Sequence, residues 1–235
     1  MTAAAPLLEL VGVAGTGKTT LLETLKQRDP RLSTDATIGR LNRAELLFRH
    51  TAGFLPTFLR GSPRGRWLTW EEMRAMGYLE GWQRVIGDDR AAAMVFDHGP
   101  IFRLVQLREL GPPLVASPAF AAWWHAERRL WARSLDLVVW LDAPDTVLLP
   151  RIGGRDQRHV VKQMPAATAV EFLTTYRRGY EKVLDEISAE GRFHLIRFDT
   201  SRVPPEAIAE EVLVAVRRVT MPDRGSDRPQ PGSPS

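Results

Sequence analysis

The chain has 235 residues, 44% of them hydrophobic and 26% charged, and a formal net charge of +4. This composition is typical of a soluble globular protein with one sizeable core. The absence of cysteine excludes disulfides, thiolate metal sites and a cysteine nucleophile, and it favours a cytoplasmic protein. No apolar run is long enough to span a bilayer, and the arginines are scattered, so we expect neither a membrane nor a nucleic-acid partner.

The first motif is a glycine-rich loop between a short apolar run at residues 7–11 and leucines at helical spacing in residues 20–27. Residues 12–19 match the pattern G-x-x-x-x-G-K-[ST], the P-loop. Glycines let such a loop turn its backbone N–H groups toward phosphate oxygens, and the start of the helix adds positive potential. The pattern predicts a nucleoside triphosphate site formed by Gly12, Val13, Ala14, Gly15, Thr16, Gly17, Lys18, Thr19 and Thr20.

Two side chains of the P-loop have predicted chemical roles. Lys18 is a cation that can reach the β- and γ-phosphates, and the Thr19 hydroxyl can bind Mg²⁺.

The next elements are a short second strand at residues 34–38 and a helix at 41–50. A further helix then runs to residue 86. At its start, Thr69 and Glu72 have the spacing of a capping box.

The apolar run at residues 92–96 predicts a buried strand that ends in Asp97, and Pro100 suits the first turn of the next helix. At a strand end beside a P-loop, Asp97 can hold Mg²⁺ or take the proton from an acceptor hydroxyl. The alternative is that Asp97 only caps the helix that follows.

The remaining pattern alternates helices and strands: helix 118–134, strand 136–142, a short helix from 144, helix 165–187, strand 193–198 and helix 204–218. Apolar strands alternating with helices predict a three-layer α/β fold with a five-stranded parallel sheet, and an active site at the carboxyl ends of the strands. We expect one domain over residues 1–220 and a disordered tail at 221–235.

Three arginines, Arg151, Arg155 and Arg158, surround a pair of glycines. One interpretation is a mobile lid, about residues 151–164, whose arginines neutralise charge on a transferring phosphoryl group and exclude water. The other is a solvated loop after a short helix.

The candidate acceptor-binding residues are Asp35, Arg40, Trp70, Tyr78 and His98. The aromatic members could stack on a planar substrate, but an aromatic stripe at helical spacing is also typical of a core. Residues 199–201 could line a pocket for the base of the nucleotide or cap the last helix.

The ordered landmarks resemble the nucleoside and nucleotide kinases that carry a P-loop, most closely the thymidylate kinase and deoxynucleoside kinase branch. The resemblance rests on the P-loop, on Asp97-His98-Gly99-Pro100, on Leu141-Asp142-Ala143-Pro144 and on the arginines at 151–158. It implies ATP with Mg²⁺, transfer of the γ-phosphoryl group to a small acceptor such as a nucleoside or nucleoside monophosphate, and often a homodimer.

Two features depart from this branch. His98 stands where thymidylate kinases carry an arginine, and no Arg-Glu-Pro-Gly segment follows the second strand. We therefore keep two alternatives to a kinase: a nucleotide-dependent ATPase or switch, and a regulatory ATP-binding module without acceptor chemistry.

Overall fold

The computed structural model describes residues 5–34, 69–86, 92–111, 118–156 and 159–220. The predicted helix at 41–50, most of the predicted second strand, the candidates Asp35, Arg40 and Arg158, and the tail at 221–235 lie outside these ranges.

The described residues form a parallel sheet in the order β2-β3-β1-β4-β5, as the alternating pattern predicts. Strand β1 lies at its centre, with Leu8 beside Val95 of β3 on one side and beside Leu137 of β4 on the other. The strands are β1 Leu7–Val11, β2 Ser33–Thr34, β3 Met94–Phe96, β4 Leu137–Asp142 and β5 His194–Asp199.

Helices cover both faces of this sheet. They are α1 Lys18–Arg28, α2 Trp70–Ile86, α3 Pro100–Leu110, α4 Pro118–Ser134, α5 Asp145–Gly153, α6 Ala166–Glu190 and α7 Pro205–Thr220, with a 3₁₀ turn at Val160–Gln163. Among the helices of the described ranges, none is both long enough and apolar enough to cross a membrane.

The hydrophobic core has two layers, one on each face of the sheet. Along β1, Leu7 and Val11 pack with α2, α3, α4 and α6, whereas Leu8 and Leu10 pack with α1 and α7. Successive side chains of a strand point to opposite faces, so a central parallel strand is buried on both. This double burial is the physical reason for the nearly continuous apolar runs in the sequence.

The strand order places the functional loops together. The chain leaves β1 toward β2 and β3 on one side, and later crosses to β4 on the other. The carboxyl ends of β1, β3 and β4 are therefore neighbours, and ligands of open α/β sheets bind at such a reversal of strand order.

The capping box at the start of α2 is confirmed. The Thr69 backbone N–H donates to Glu72 Oε2 at 2.7 Å, and the Glu72 N–H donates to Thr69 Oγ1 at 3.3 Å. Two N–H groups of the first turn are satisfied in this way.

The core contains a carboxyl group, that of Glu127, with one oxygen lacking a hydrogen-bond partner among the described residues. Glu127 belongs to α4 and is 6% exposed, and the oxygen in question is Oε2. Burial raises the pKa of Glu127 to about 7, the charge of Glu80 raises it further, and the Trp131 side chain opposes the shift.

This raised pKa predicts a pH-dependent stability. Between its ordinary pKa of 4.5 and about 7, folded Glu127 holds a proton that the unfolded chain releases, so the group's contribution to stability falls as pH rises through this window. Glu127→Gln should therefore be more stable than the wild type at pH 8, by on the order of 1–3 kcal/mol, and similar to it at pH 5.

Urea unfolding at the two pH values measures this difference. Glu181→Gln, at an exposed position of α6, is the control and should match the wild type at both pH values. A Glu127→Gln effect of equal size at pH 5 and pH 8 would contradict the prediction.

Candidate functional site

The loop at residues 12–17 has backbone angles that favour glycine. Gly12, Gly15 and Gly17 have φ values of 147°, 87° and 88°. A Cβ atom on Gly12 would lie 2.2 Å from the Leu141 carbonyl oxygen of β4. The loop can therefore follow this path only because these positions carry no side chain.

Helix α1 begins with Gly17 as its N-cap, and no side chain caps this end. The first N–H groups of a helix have no intrahelical acceptor, and together with the helix dipole they form an anion site. The start of α1 is therefore suited to bind phosphate.

The Lys18 side chain contacts the backbone of this loop. Its Nζ donates to the carbonyl oxygens of Gly12 at 2.7 Å and Val13 at 3.1 Å. Burial lowers the pKa of Lys18 to about 8, and nearby Arg155 lowers it too, whereas Asp97 and Glu9 raise it. Among the described residues, the Lys18 ammonium group has only neutral carbonyl acceptors, so a bound phosphate would give it an opposite charge.

Asp97 follows β3 and faces the start of α1. Its Oδ2 accepts a hydrogen bond from Thr19 Oγ1 at 3.3 Å, and its buried Oδ1 has no partner among the described residues. The helix after it, α3, has Gly99 as its N-cap and no hydrogen bond from a capping side chain at that position. The alternative role of Asp97 as a helix cap is therefore not what the structure shows.

Glu9 provides the cap instead, and the sequence analysis did not identify it. Its Oε2 accepts from the Ile101 N–H at 2.8 Å and its Oε1 accepts from the Phe102 N–H at 2.9 Å. Glu9 is fully buried at the centre of β1. The available signal was a single charged residue within an otherwise apolar strand, since such a residue is rarely buried without partners.

Tyr180 of α6 is a second residue that sequence reasoning missed. It is 1% exposed, and its ring packs edge-on against Trp140 at a centroid distance of 5.7 Å. Burial raises the pKa of its hydroxyl well above the usual range, while a hydrogen bond with the Gly12 backbone opposes the shift. Tyr180 thus lies in the core close to the backbone of Gly12.

A cavity of about 460 Å³ opens beside the P-loop. Two of the predicted arginines line it, and Arg151 donates from Nη1 to Thr200 Oγ1 and from Nη2 to the Thr200 carbonyl, both at 3.0 Å. The lining residues include Gly15, Gly17, Thr20, Pro150, Arg151, Arg155, Thr200, Val203 and Ile208.

Of the two interpretations of residues 199–201, the structure favours the pocket. Thr200 lines the cavity. The Asp199 carboxylate accepts from the Ser201 N–H at 2.9 Å, so it closes its own turn, and α7 begins only at Pro205.

The arginine segment is partly helical. Arg151 lies in the last turn of α5, so it belongs to a rigid element and not to a loop, whereas Arg155 follows the end of that helix. The start of α5 is anchored by Arg177, which donates to Asp142 Oδ2 at 2.8 Å and to Asp145 Oδ1 at 2.9 Å. The closing movement of a lid stays a prediction.

On the acceptor side, His98 is beside Asp97, with its Nδ1 at 3.6 Å from Asp97 Oδ2. Burial lowers the pKa of His98, and the charges of Lys18 and Arg103 lower it further, against the opposing effect of Asp97. The lowered pKa favours the neutral form of the imidazole.

The two aromatic candidates are not brought together. Tyr78 belongs to the core, where its ring stacks on Trp82 at 5.3 Å and lies 5.4 Å from the Arg103 guanidinium. Tyr78 is only 8% exposed, so its ring is not available to stack on a substrate in this structure. Trp70 is 59% exposed at the start of α2.

No protein-family model matches the chain, and no curated protein matches its sequence. Solved structures do match. Deoxyadenosine kinase from M. mycoides with the products dCMP and a flexible dCDP has a TM-score of 0.55 at 10% identity, over 91% of this chain and 99% of that chain.

The same enzyme with bound dATP has a TM-score of 0.53 at 12% identity, over 88% of this chain and 99% of that chain. The same enzyme with bound dCTP has a TM-score of 0.53 at 12% identity, over 89% of this chain and 99% of that chain. Likeness at this level of identity establishes the fold. The chain therefore has the fold of the P-loop nucleoside kinases, as its resemblance to them predicts.

Proposed function

We propose that this protein is an ATP-dependent kinase that transfers the γ-phosphoryl group to a small acceptor, a nucleoside or a nucleoside monophosphate. One observation carries the proposal. The uncapped start of α1, the half-buried Lys18 and the Thr19–Asp97 pair meet at the carboxyl ends of β1 and β3.

The residues present suit a nucleoside triphosphate. The loop amides and Lys18 would hold the phosphates, because both are positive and the acceptors of Lys18 among the described residues are neutral carbonyls. The adjoining cavity of about 460 Å³ has the size of a small-molecule site and would take the base and sugar. The relatives of this fold with bound dATP and dCTP support this assignment.

The residues also suit Mg²⁺. The ion prefers carboxylate and hydroxyl oxygens and keeps several water ligands. Asp97 Oδ1 is buried without a protein partner among the described residues, and the Thr19 hydroxyl is the neighbour of Asp97 Oδ2. When bound, Mg²⁺ would supply charge neutralisation at the phosphates.

The protein's part in the transfer is positioning and electrostatics, because phosphoryl transfer needs little covalent chemistry from the enzyme. Lys18 would exchange the Gly12 and Val13 carbonyls for phosphate oxygens. Arg155, together with Arg158, would stabilise negative charge on the transferring group. Asp97 would orient the acceptor hydroxyl or accept its proton.

The acceptor side favours an uncharged acceptor group. His98 occupies the place of an arginine in thymidylate kinases, and its lowered pKa favours the neutral imidazole, whereas a guanidinium is always charged. A neutral side chain attracts an acceptor phosphate less than a guanidinium does. Within the proposed class, we therefore favour a nucleoside hydroxyl over a nucleotide phosphate.

An acceptor panel tests the function. ATP consumption and product formation would be measured with Mg²⁺ alone, then with nucleosides, nucleoside monophosphates and small alcohols. A kinase forms a phosphorylated product only with an acceptor. Slow hydrolysis without any acceptor effect would favour an ATPase or switch, and binding without turnover would favour a regulatory module.

We also propose that residues 1–220 form a single domain. Assembly as a homodimer stays a prediction.

Lys18→Ala should abolish turnover, lowering kcat by more than about 100-fold, because it removes a buried cation that meets the phosphates. The fold should persist, as judged by circular dichroism and thermal unfolding. Lys26→Ala, at an exposed position of the same helix, is the control and should keep wild-type kinetics. Unchanged turnover in Lys18→Ala would refute the site.

Arg155→Ala should lower kcat more than it weakens ATP binding, by on the order of 100-fold in kcat, because its charge acts on the transition state. Steady-state kinetics and calorimetry with ATP would separate the two effects. Arg133→Ala, at an exposed position of α4, should change neither. If only the affinity fell, Arg155 would be a simple nucleotide-binding residue.

A further inference from the structure

We propose that Glu9 is a positioning residue that holds Asp97 and His98 at a fixed place opposite the P-loop. Glu9 would act through the first turn of α3 and would not touch either substrate. The kinetic part of this inference rests on the proposed function.

The contact is a charged helix cap supplied from another element. Both Glu9 oxygens accept backbone N–H groups, from Ile101 at 2.8 Å and from Phe102 at 2.9 Å. These N–H groups belong to the first turn of α3, where no intrahelical acceptor exists. Hydrogen bonds to a buried carboxylate are stronger than those between neutral groups, so this cap is a stiff connection.

The residue at the N-cap position of α3 cannot cap the helix with a side chain. This residue is Gly99, and Pro100, which has no N–H group, follows it. A Cβ atom on Gly99 would lie 2.7 Å from Glu9 Cδ and 2.6 Å from Phe96 Cβ. The turn is therefore held closely between the Glu9 carboxylate and the end of β3.

Asp97 and His98 are the two residues between these fixed points. Glu9 pairs with Phe96 in the register of β1 and β3, one residue before Asp97. Continuing from Glu9, the same strand leads into the P-loop, whose Thr19 hydroxyl meets Asp97 Oδ2 at 3.3 Å. A single carboxylate thus links the segment that carries Thr19 to the segment that carries Asp97 and His98.

Glu9 itself is not placed to react. Both of its oxygens have backbone donors, and the residue has 0% exposure. Its geometric effect on the chemistry would pass through the position of Asp97, whereas its charge acts separately by raising the pKa of Lys18. Because misplacement of a reacting group by about 1 Å can cost about 100-fold in rate, a loosened turn should be visible in kcat.

Glu9→Gln is the test. The amide keeps one acceptor but sets an NH₂ group against one of the two backbone N–H donors. We expect kcat to fall by about 10- to 100-fold. We also expect the gain in ATP affinity on adding Mg²⁺ to shrink, because Asp97 is displaced. The affinity for ATP without Mg²⁺ reports the separate loss of the Glu9 charge near Lys18, a charge that Gly99→Ala keeps.

Asp136→Asn is the matched control. Asp136 Oδ2 accepts the Leu7 N–H at 2.8 Å, so it is another carboxylate that binds a backbone amide linked to β1, but at the end of the strand far from the P-loop. Asp136→Asn should lower the melting temperature while leaving kcat and the Mg²⁺-dependent gain in ATP affinity unchanged.

Gly99→Ala provides a second variant, because its methyl group would press on the same carboxylate from the other side. It should reproduce the loss in kcat with ATP affinity retained, and it decides the matter should Glu9→Gln fail to fold.

The outcomes separate this inference from the proposed function. If Glu9→Gln or Gly99→Ala lowers only the melting temperature, as Asp136→Asn does, Glu9 is merely structural and the inference is overturned. If the wild type shows no transfer to any acceptor, the proposed function fails. The Mg²⁺-dependent gain in ATP affinity, measured by calorimetry, then still tests Glu9, and equal gains in wild type and variants overturn the inference.

Discussion

The backbone N–H groups at the start of α1 are the feature on which the site depends. They have no side-chain cap, and the loop before them turns through glycine conformations that bring its backbone within contact of β4. Uncapped amides and a helix dipole form a preformed anion site whose donors need no reorganisation when phosphate binds. The central position of β1 in the sheet holds this loop rigidly, because the strand pairs on both sides.

Charge around the loop is balanced within the core. Lys18 is buried, which lowers its pKa, and the negative charges of Asp97 and Glu9 partly offset the shift. The pKa of Tyr180 is raised, so its hydroxyl stays neutral next to the P-loop. Burying a charged group costs free energy unless the group has a hydrogen-bond or charge partner. The Glu9 carboxylate has such partners, because it accepts two backbone N–H groups of α3.

The cavity beside the P-loop is built differently from the surroundings of Asp97. Around the cavity, Arg151 and Thr200 are joined by two hydrogen bonds, and α5 is anchored by Arg177. Next to Asp97 stands His98, whose pKa is lowered, and Tyr78 is packed into the core. The two regions therefore differ in charge, with arginines on the cavity side and an imidazole beside Asp97.

The sequence by itself determined the α/β class, the parallel sheet, the P-loop and the location of Asp97 at a strand end. These features are readable because they are local: an apolar run of strand length, glycines at set spacing and a cap pattern each depend on a few neighbouring residues. The capping box of Thr69 and Glu72 is a further example, and its hydrogen bonds are present as predicted.

Only the tertiary structure decided the roles of residues whose partners are distant in the chain. The backbone amides that Glu9 binds are 92 and 93 residues away, and Arg151 finds Thr200 49 residues later. The tertiary structure also places Tyr78 in the core and Tyr180 in the core near Gly12. Such contacts follow from strand order and helix packing, which bring together residues that no local pattern connects.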